Sequence, residues 1–135
     1  MSLFNVFDIA GTGMHAQTLR LNATASNLAN VDSISSNADE TYRAKVPNFQ
    51  AMMDQETGKV SGVRVTEIME STAPIQNEYN PNHPMADENG YIYRPNVNVV
   101  EEMANMMSAS RSYEMNVELM STSRQLMLKL VTMGQ

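Results

Sequence analysis

The segment His83-Pro84-Met85-Ala86-Asp87-Glu88-Asn89-Gly90 brings an imidazole and two carboxylates within six residues. Donors of that kind, so close in sequence, invite a divalent cation. Placing Gly90 at the glycine of an EF-hand loop puts Met85 at the first ligand position and Asn96 at the last. A calcium loop needs an acid at the first and a bidentate Glu at the last, so the motif fails. His83, Asp87 and Glu88 are left as a weak site at best, and a solvated turn is the better reading. His15, the other histidine, lies on a predicted helix with no Ser–Asp pattern near it. The chain carries no Gly-rich phosphate loop, no nucleophile elbow and no metal-ligand spacing. With no cysteine, disulfides, thiolate zinc sites and a cysteine nucleophile are excluded. The sequence therefore reads as that of a non-enzyme with no cofactor and no small-molecule substrate. The Asn22-Ala23-Thr24 sequon falls on a helix and reads as incidental.

The regular pattern lies elsewhere, at the two ends. From Pro95 onward, apolar side chains recur every seven residues at Val99, Met106, Tyr113, Met120 and Met127. A second line, Met103 and Val117, sits four residues further on. This is one long amphipathic helix with a coiled-coil-like stripe. The first thirty residues carry a matching stripe at Phe7, Met14, Leu21 and Leu28, with small residues (Ala10, Ala16, Ala23, Ala25, Ser26, Ala29) that let a neighbouring backbone approach. Gly11 and Gly13 are expected to weaken or kink that helix, since each costs about 1 kcal/mol relative to alanine in a helix interior.

At 135 residues the chain is expected to form one domain. Trp is absent and thirteen residues are Met, an adaptable side chain suited to surfaces that repack on contact. The net charge of −6 is uneven: residues 1–31 are balanced, 32–96 hold ten acids against five bases, and 97–135 hold four acids against three bases. Near-neutral helices can pack closely while an acidic middle keeps the chain soluble. There is no basic stripe, which argues against nucleic acid as a partner. The N-terminus lacks a Lys or Arg before Arg20 and any long apolar run, so it does not read as a cleaved secretion signal. Nor does any stretch approach the length of a transmembrane helix.

These features divide the chain into an N-terminal helix over 1–31, a loop and β-rich insert over 32–96, and a C-terminal helix over 97–135. Within the insert, Tyr42–Val46 alternates as a strand that Pro47 ends, and Val63–Thr66 suggests a second. Asn89-Gly90 is a tight-turn signal before Tyr91-Ile92-Tyr93. Pro74, Pro81, Pro84 and Pro95 keep 74–95 out of helix. Asn96 or Asn98 would cap the second long helix, Glu101 and Glu102 suit its positive end, and Gly134 would stop it. The fold class is mainly α with a small β insert, the two long helices forming an antiparallel coiled coil.

Specific words in the chain then point to a family. Ala16–Ser33 (AQTLRLNATASNLANVDS), with Ser26-Asn27-Leu28-Ala29-Asn30 at its centre, resembles the N-terminal signature of flagellar axial proteins. The run PNVNVVEEMANMMSASRSYEMNVE resembles their C-terminal signature, with Ala109–Glu114 and Asn116 as distinctive positions. The short length, Tyr42–Lys45 and the block HPMADENGYIYRPNVNVVEEM resemble the flagellar basal-body rod proteins of the proximal type. Where related sequences often continue into a Thr-x-Gly-Tyr element, this chain has Val31-Asp32-Ser33-Ile34 and a polar loop. The resemblance implies a structural subunit of the rod, spanning the periplasm, carrying torque and exported by the flagellar type III apparatus without a cleaved signal. Its implied partners are copies of itself, other rod proteins, the rod-base adaptor and the export apparatus. The expected assembly interface is Leu21, Asn27, Leu28, Asn30, Met106, Arg111, Tyr113, Val117 and Met120, with the two asparagines fixing register. Outside that resemblance, the Met-rich helices also suit a soluble coiled-coil adaptor or export chaperone.

Overall fold

The computed structural model describes residues 3–54 and 58–134, with the side chains of residues 3 and 4 left aside; the outermost ends of the expected terminal segments, residues 1, 2 and 135, lie outside the described residues. The element order is α1 (Leu3–Ala29), β1 (Lys45–Met53), β2 (Val60–Glu70), β3 (Gln76–Tyr79), β4 (Tyr91–Arg94) and α2 (Val99–Met133). Two long helices enclose two small antiparallel sheets, a mainly helical chain with a β insert.

α2 is 35 residues, or about 52 Å at 1.5 Å per residue. Asn98 is its N-cap: the side-chain oxygen accepts from the N–H groups of Val100 and Glu101, and Glu101 and Glu102 lie in the first turn, where the helix end is positive. Gly134 closes the helix, its N–H donating to the Leu130 carbonyl. α1 is continuous through Gly11 and Gly13, contrary to the expected kink. At Gly13 the reason is packing. A Cβ there would sit 3.0 Å from the Asn116 amide of α2, so a larger residue would hold the helices apart.

Three contacts step along the two helices in opposite order: Asn27 with Glu102, Arg20 with Asn105, and Gly13 against Asn116. The outer two are fourteen residues apart on each helix. The buried line of α2 is Ala109 and Ser123, in heptad step with Glu102 and Asn116. This corrects the expected second line. Met103 and Val117 are 54% and 44% exposed and point outward. The offset is three residues rather than four because small and polar side chains, not large apolar ones, bring the backbones together. α1 answers with Ala10, Ala16 and Ala23, all buried. The expected stripe of Phe7, Met14, Leu21 and Leu28 flanks this contact, half-buried.

β1 and β2 pair as a long hairpin in the register Val46↔Met69, Pro47↔Ile68 and Ala51↔Val63, with irregularities at Asn48/Phe49 and Met52/Met53. It lies along α1. The Thr12 hydroxyl accepts from the Val63 N–H (3.2 Å) and donates to the Ile9 carbonyl (2.9 Å), and Gly62 is buried against the same side chain. Pro47 does not end a strand, as expected, but lies inside β1, and residues 42–44 precede the strand. In a two-stranded sheet every strand is an edge, and proline is tolerated there. β3 and β4 form the second hairpin, which buries Ile92. Gly90 takes φ +83° in the turn before β4, a conformation that favours glycine.

Candidate assembly interface

Asn27 is the polar centre of the molecule. It is 1% exposed, and all of its side-chain hydrogen-bonding capacity is used. Nδ2 donates to the Lys45 carbonyl and to Glu102 Oε1, both at 3.0 Å. Oδ1 accepts from the Lys45 N–H (2.8 Å) and from the Tyr42 hydroxyl (2.9 Å). The Tyr42 hydroxyl also lies 3.0 Å from the Ser26 hydroxyl. One amide thus ties the last turns of α1 to the start of β1 and the first turn of α2. Asn96 does a similar job nearby, accepting from the Ala44 N–H (2.8 Å) and donating to the Ser71 and Ala73 carbonyls. Together the two asparagines fix the β insert onto the end of the helix pair.

The expected interface residues divide into groups. Asn27 meets partners inside its own chain. Asn30 bonds locally, Nδ2 donating to the Ser26 carbonyl at 2.8 Å. Leu21, Leu28, Met106 and Met120 are half-buried beside the helix–helix contact. Tyr113, Val117 and Arg111 are exposed. Sequence reasoning missed Thr12 and Gly62, where β2 docks on α1. It also missed Tyr42 and Asn96 as hydrogen-bonding centres; Asn96 had been considered as a helix cap and as the last position of a failed calcium loop. Their signal was faint, since a polar residue beside a helix end looks like an ordinary cap or turn.

On the outer face of α2, large apolar side chains remain open: Val100, Met103 and Met107, then Met115, Leu119 and Leu126.

At the turn singled out for metal chemistry, Asp87 serves the fold. Its Oδ1 accepts from the N–H groups of Tyr91 (2.8 Å) and Asn89 (2.9 Å), and its Oδ2 from the Tyr93 hydroxyl (3.2 Å). The Tyr91 N–H holds the carboxyl below its ordinary value, against the opposing effect of burial, with Asn89 and Tyr93 adding to it. Its bond to the Asp87 carboxylate pushes the Tyr93 hydroxyl above its ordinary value. Among the described residues no group of three or more His, Cys, Asp or Glu is placed to hold a metal ion. No described helix is long and apolar enough to cross a membrane.

Two family models match the ends that form this arrangement. Flagella basal body rod protein covers residues 7–33, and flagellar basal body rod FlgEFG protein C-terminal covers residues 88–133. The full length also aligns with flagellar basal-body rod protein FlgC of Salmonella typhimurium, at 51% identity over 137 positions and all of both chains. The chain belongs to the FlgC family of flagellar basal-body rod proteins. FlgC of Yersinia enterocolitica is 50% identical and that of Buchnera aphidicola from Acyrthosiphon pisum 38%, each over the whole of both chains. The family models fall on the two long helices and their polar centre, and Asn27 lies inside the first matched segment.

Proposed function

We propose that this chain is a structural subunit of the flagellar basal-body rod, in its proximal part, and that it carries torque across the periplasm by helix packing. The observation that supports this most is full-length similarity to rod proteins at about half identity, joined to an α2 whose outer face is apolar and open. A shaft subunit needs stiffness from many distributed contacts, and an uncovered helical face supplies a place to make them.

In this reading α1 and α2 act as an antiparallel coiled coil, the assembly core, over 1–31 and 97–135, while the insert over 32–96 reaches adjacent subunits. Leu21, Leu28, Met106, Tyr113, Val117 and Met120 face neighbouring subunits, with Arg111 and Asn30 contributing polar contacts. The partners are copies of itself, other rod proteins, the rod-base adaptor and the flagellar export apparatus, which carries the chain out without a cleaved signal. Asn27, bonded to its own chain on all sides, supports assembly by shaping the subunit. A soluble adaptor or chaperone is the weaker reading, since the relatives are rod proteins over their whole length.

The test is Leu28→Asp or Met120→Asp in cells lacking the native protein. Both side chains are half-buried beside the helix contact, at the rim a neighbour would cover. Loss of rod incorporation and swimming, with the protein still soluble, is the expected result. Full motility with either change would overturn the assignment of this rim to assembly.

A further inference from the structure

The chain has one Asn-Gly step, Asn89-Gly90, in the turn before β4. Such a step carries a reaction of its own. The glycine backbone nitrogen gives up its proton to base and attacks the side-chain amide carbon of the asparagine. A C–N bond forms, ammonia leaves, and a five-membered succinimide remains. One water then opens that ring at either carbonyl, leaving aspartate or isoaspartate. Glycine favours the attack because no Cβ crowds the approach. The Asn89 side chain is exposed to the water and base that the reaction needs.

A different residue at position 90 would remove the hazard, but the fold does not accept one. Gly90 is buried with φ +83°, and a Cβ there would lie 2.9 Å from the Tyr79 ring and 3.1 Å from Pro81. The turn therefore keeps the step, and Asp87 restrains it. The Gly90 N–H, which supplies the attacking nitrogen, donates to the Asp87 carbonyl at 3.0 Å. On either side of it, the N–H groups of Asn89 (2.9 Å) and Tyr91 (2.8 Å) donate to Asp87 Oδ1. The Asp87 N–H donates in turn to the Tyr91 carbonyl at 2.8 Å. One residue thus ties down the backbone from 87 to 91. The Gly90 nitrogen must leave the Asp87 carbonyl before it can swing to the Asn89 amide.

We propose that Asn89 is a deamidation site and that Asp87 keeps it closed. Asp87 acts through the Gly90 nitrogen and takes no part in the bond changes, so it is a positioning residue. What it protects is the second hairpin. Conversion of Asn89 adds a carboxylate beside Asp87 and Glu88. Isoaspartate also lengthens the backbone by a methylene inside the turn that leads to the buried Ile92. The reaction runs through the opened turn, so its rate follows the fraction of time the turn is open.

The purified full chain is held in warm, mildly alkaline buffer, either folded or in denaturant. The peptide that contains Asn89 is followed by tandem mass spectrometry and by enzymatic methylation of isoaspartate. The folded chain should deamidate there more slowly than the denatured chain by on the order of tenfold or more. Asp87→Ala should recover most of that difference. In the same variant the Gly90 amide should exchange faster while the Val63 amide, on the first hairpin, keeps its protection; a general loosening of the chain would release both. Asp87→Ser carries the test if Asp87→Ala does not fold, because a hydroxyl makes the same turn bonds more weakly and an intermediate rate is expected. Equal rates at Asn89 in the folded and denatured chains would overturn the proposal. So would a folded Asp87 variant that deamidates as slowly as the unaltered chain.

Discussion

Replacing Asn27 with alanine removes four hydrogen bonds at once from a site that is 1% exposed. The partners left behind are the Lys45 N–H and carbonyl, the Tyr42 hydroxyl and the Glu102 carboxylate. A typical intramolecular hydrogen bond contributes about 0.5–1.5 kcal/mol net, and a buried group left unpaired costs about 1–3 kcal/mol. Lys45 is exposed, and Tyr42 and Glu102 are only half-buried, so water recovers part of the loss. The expected destabilisation is about 3 kcal/mol, or roughly a 10 °C fall in melting temperature for a chain of this size. Circular dichroism melts measure it, and hydrogen exchange locates it, with the Lys45 amide losing protection first. Asn30→Ala is the control. Its side chain makes one local bond, so it should cost under about 1 kcal/mol. Equal melting temperatures for the two variants, with the Lys45 amide still protected in Asn27→Ala, would refute the claim that this amide ties the elements together.

Gly62→Ala would place a Cβ 2.5 Å from the Thr12 hydroxyl, so the first hairpin should lift from α1 and the Val63 amide should exchange faster, as read by mass spectrometry. Gln17 Oε1 is buried with no hydrogen-bond partner among the described residues, and Gln17→Met should raise stability by about 1 kcal/mol in a denaturant melt. The Asp87 carboxyl is held below its ordinary value of 3.8, so it stabilises the turn above that pH and loses this as the pH falls through the lowered folded value. The Tyr91 amide should therefore lose protection in acid below pH 3.8, and Asp87→Asn should flatten that dependence in NMR-detected exchange.

Both long helices were legible in the sequence from their seven-residue spacing, and for α2 an asparagine cap and Gly134 pointed the same way. On α1 the small residues read as a close-approach face include the buried Ala10, Ala16 and Ala23, but the joining face of α2 was not legible. Glu102, Ala109, Asn116 and Ser123 carry no apolar signal, so a pattern search preferred Met103 and Val117, which the structure leaves open. Pro47 misled for a related reason: its penalty applies inside a sheet, and this strand is an edge. Asn27 was marked in the sequence as an interface residue, while the hydrogen bonds the structure gives it lie inside its own chain. Lys45 is eighteen residues away and Glu102 seventy-five, and neither separation has a local signature. At the HPMADENG turn the sequence favoured a turn over ligation, but not the part Asp87 plays in it: its carboxylate accepts from backbone donors, which composition does not reveal.

The central claim is that this chain is a structural part of the rod. Deletion of the gene, followed by electron microscopy of isolated basal bodies and mass spectrometry of their components, tests it most directly. The protein should be present in wild-type basal bodies, and the deletion should leave them without a completed rod. Complete rods and swimming cells in its absence would contradict it.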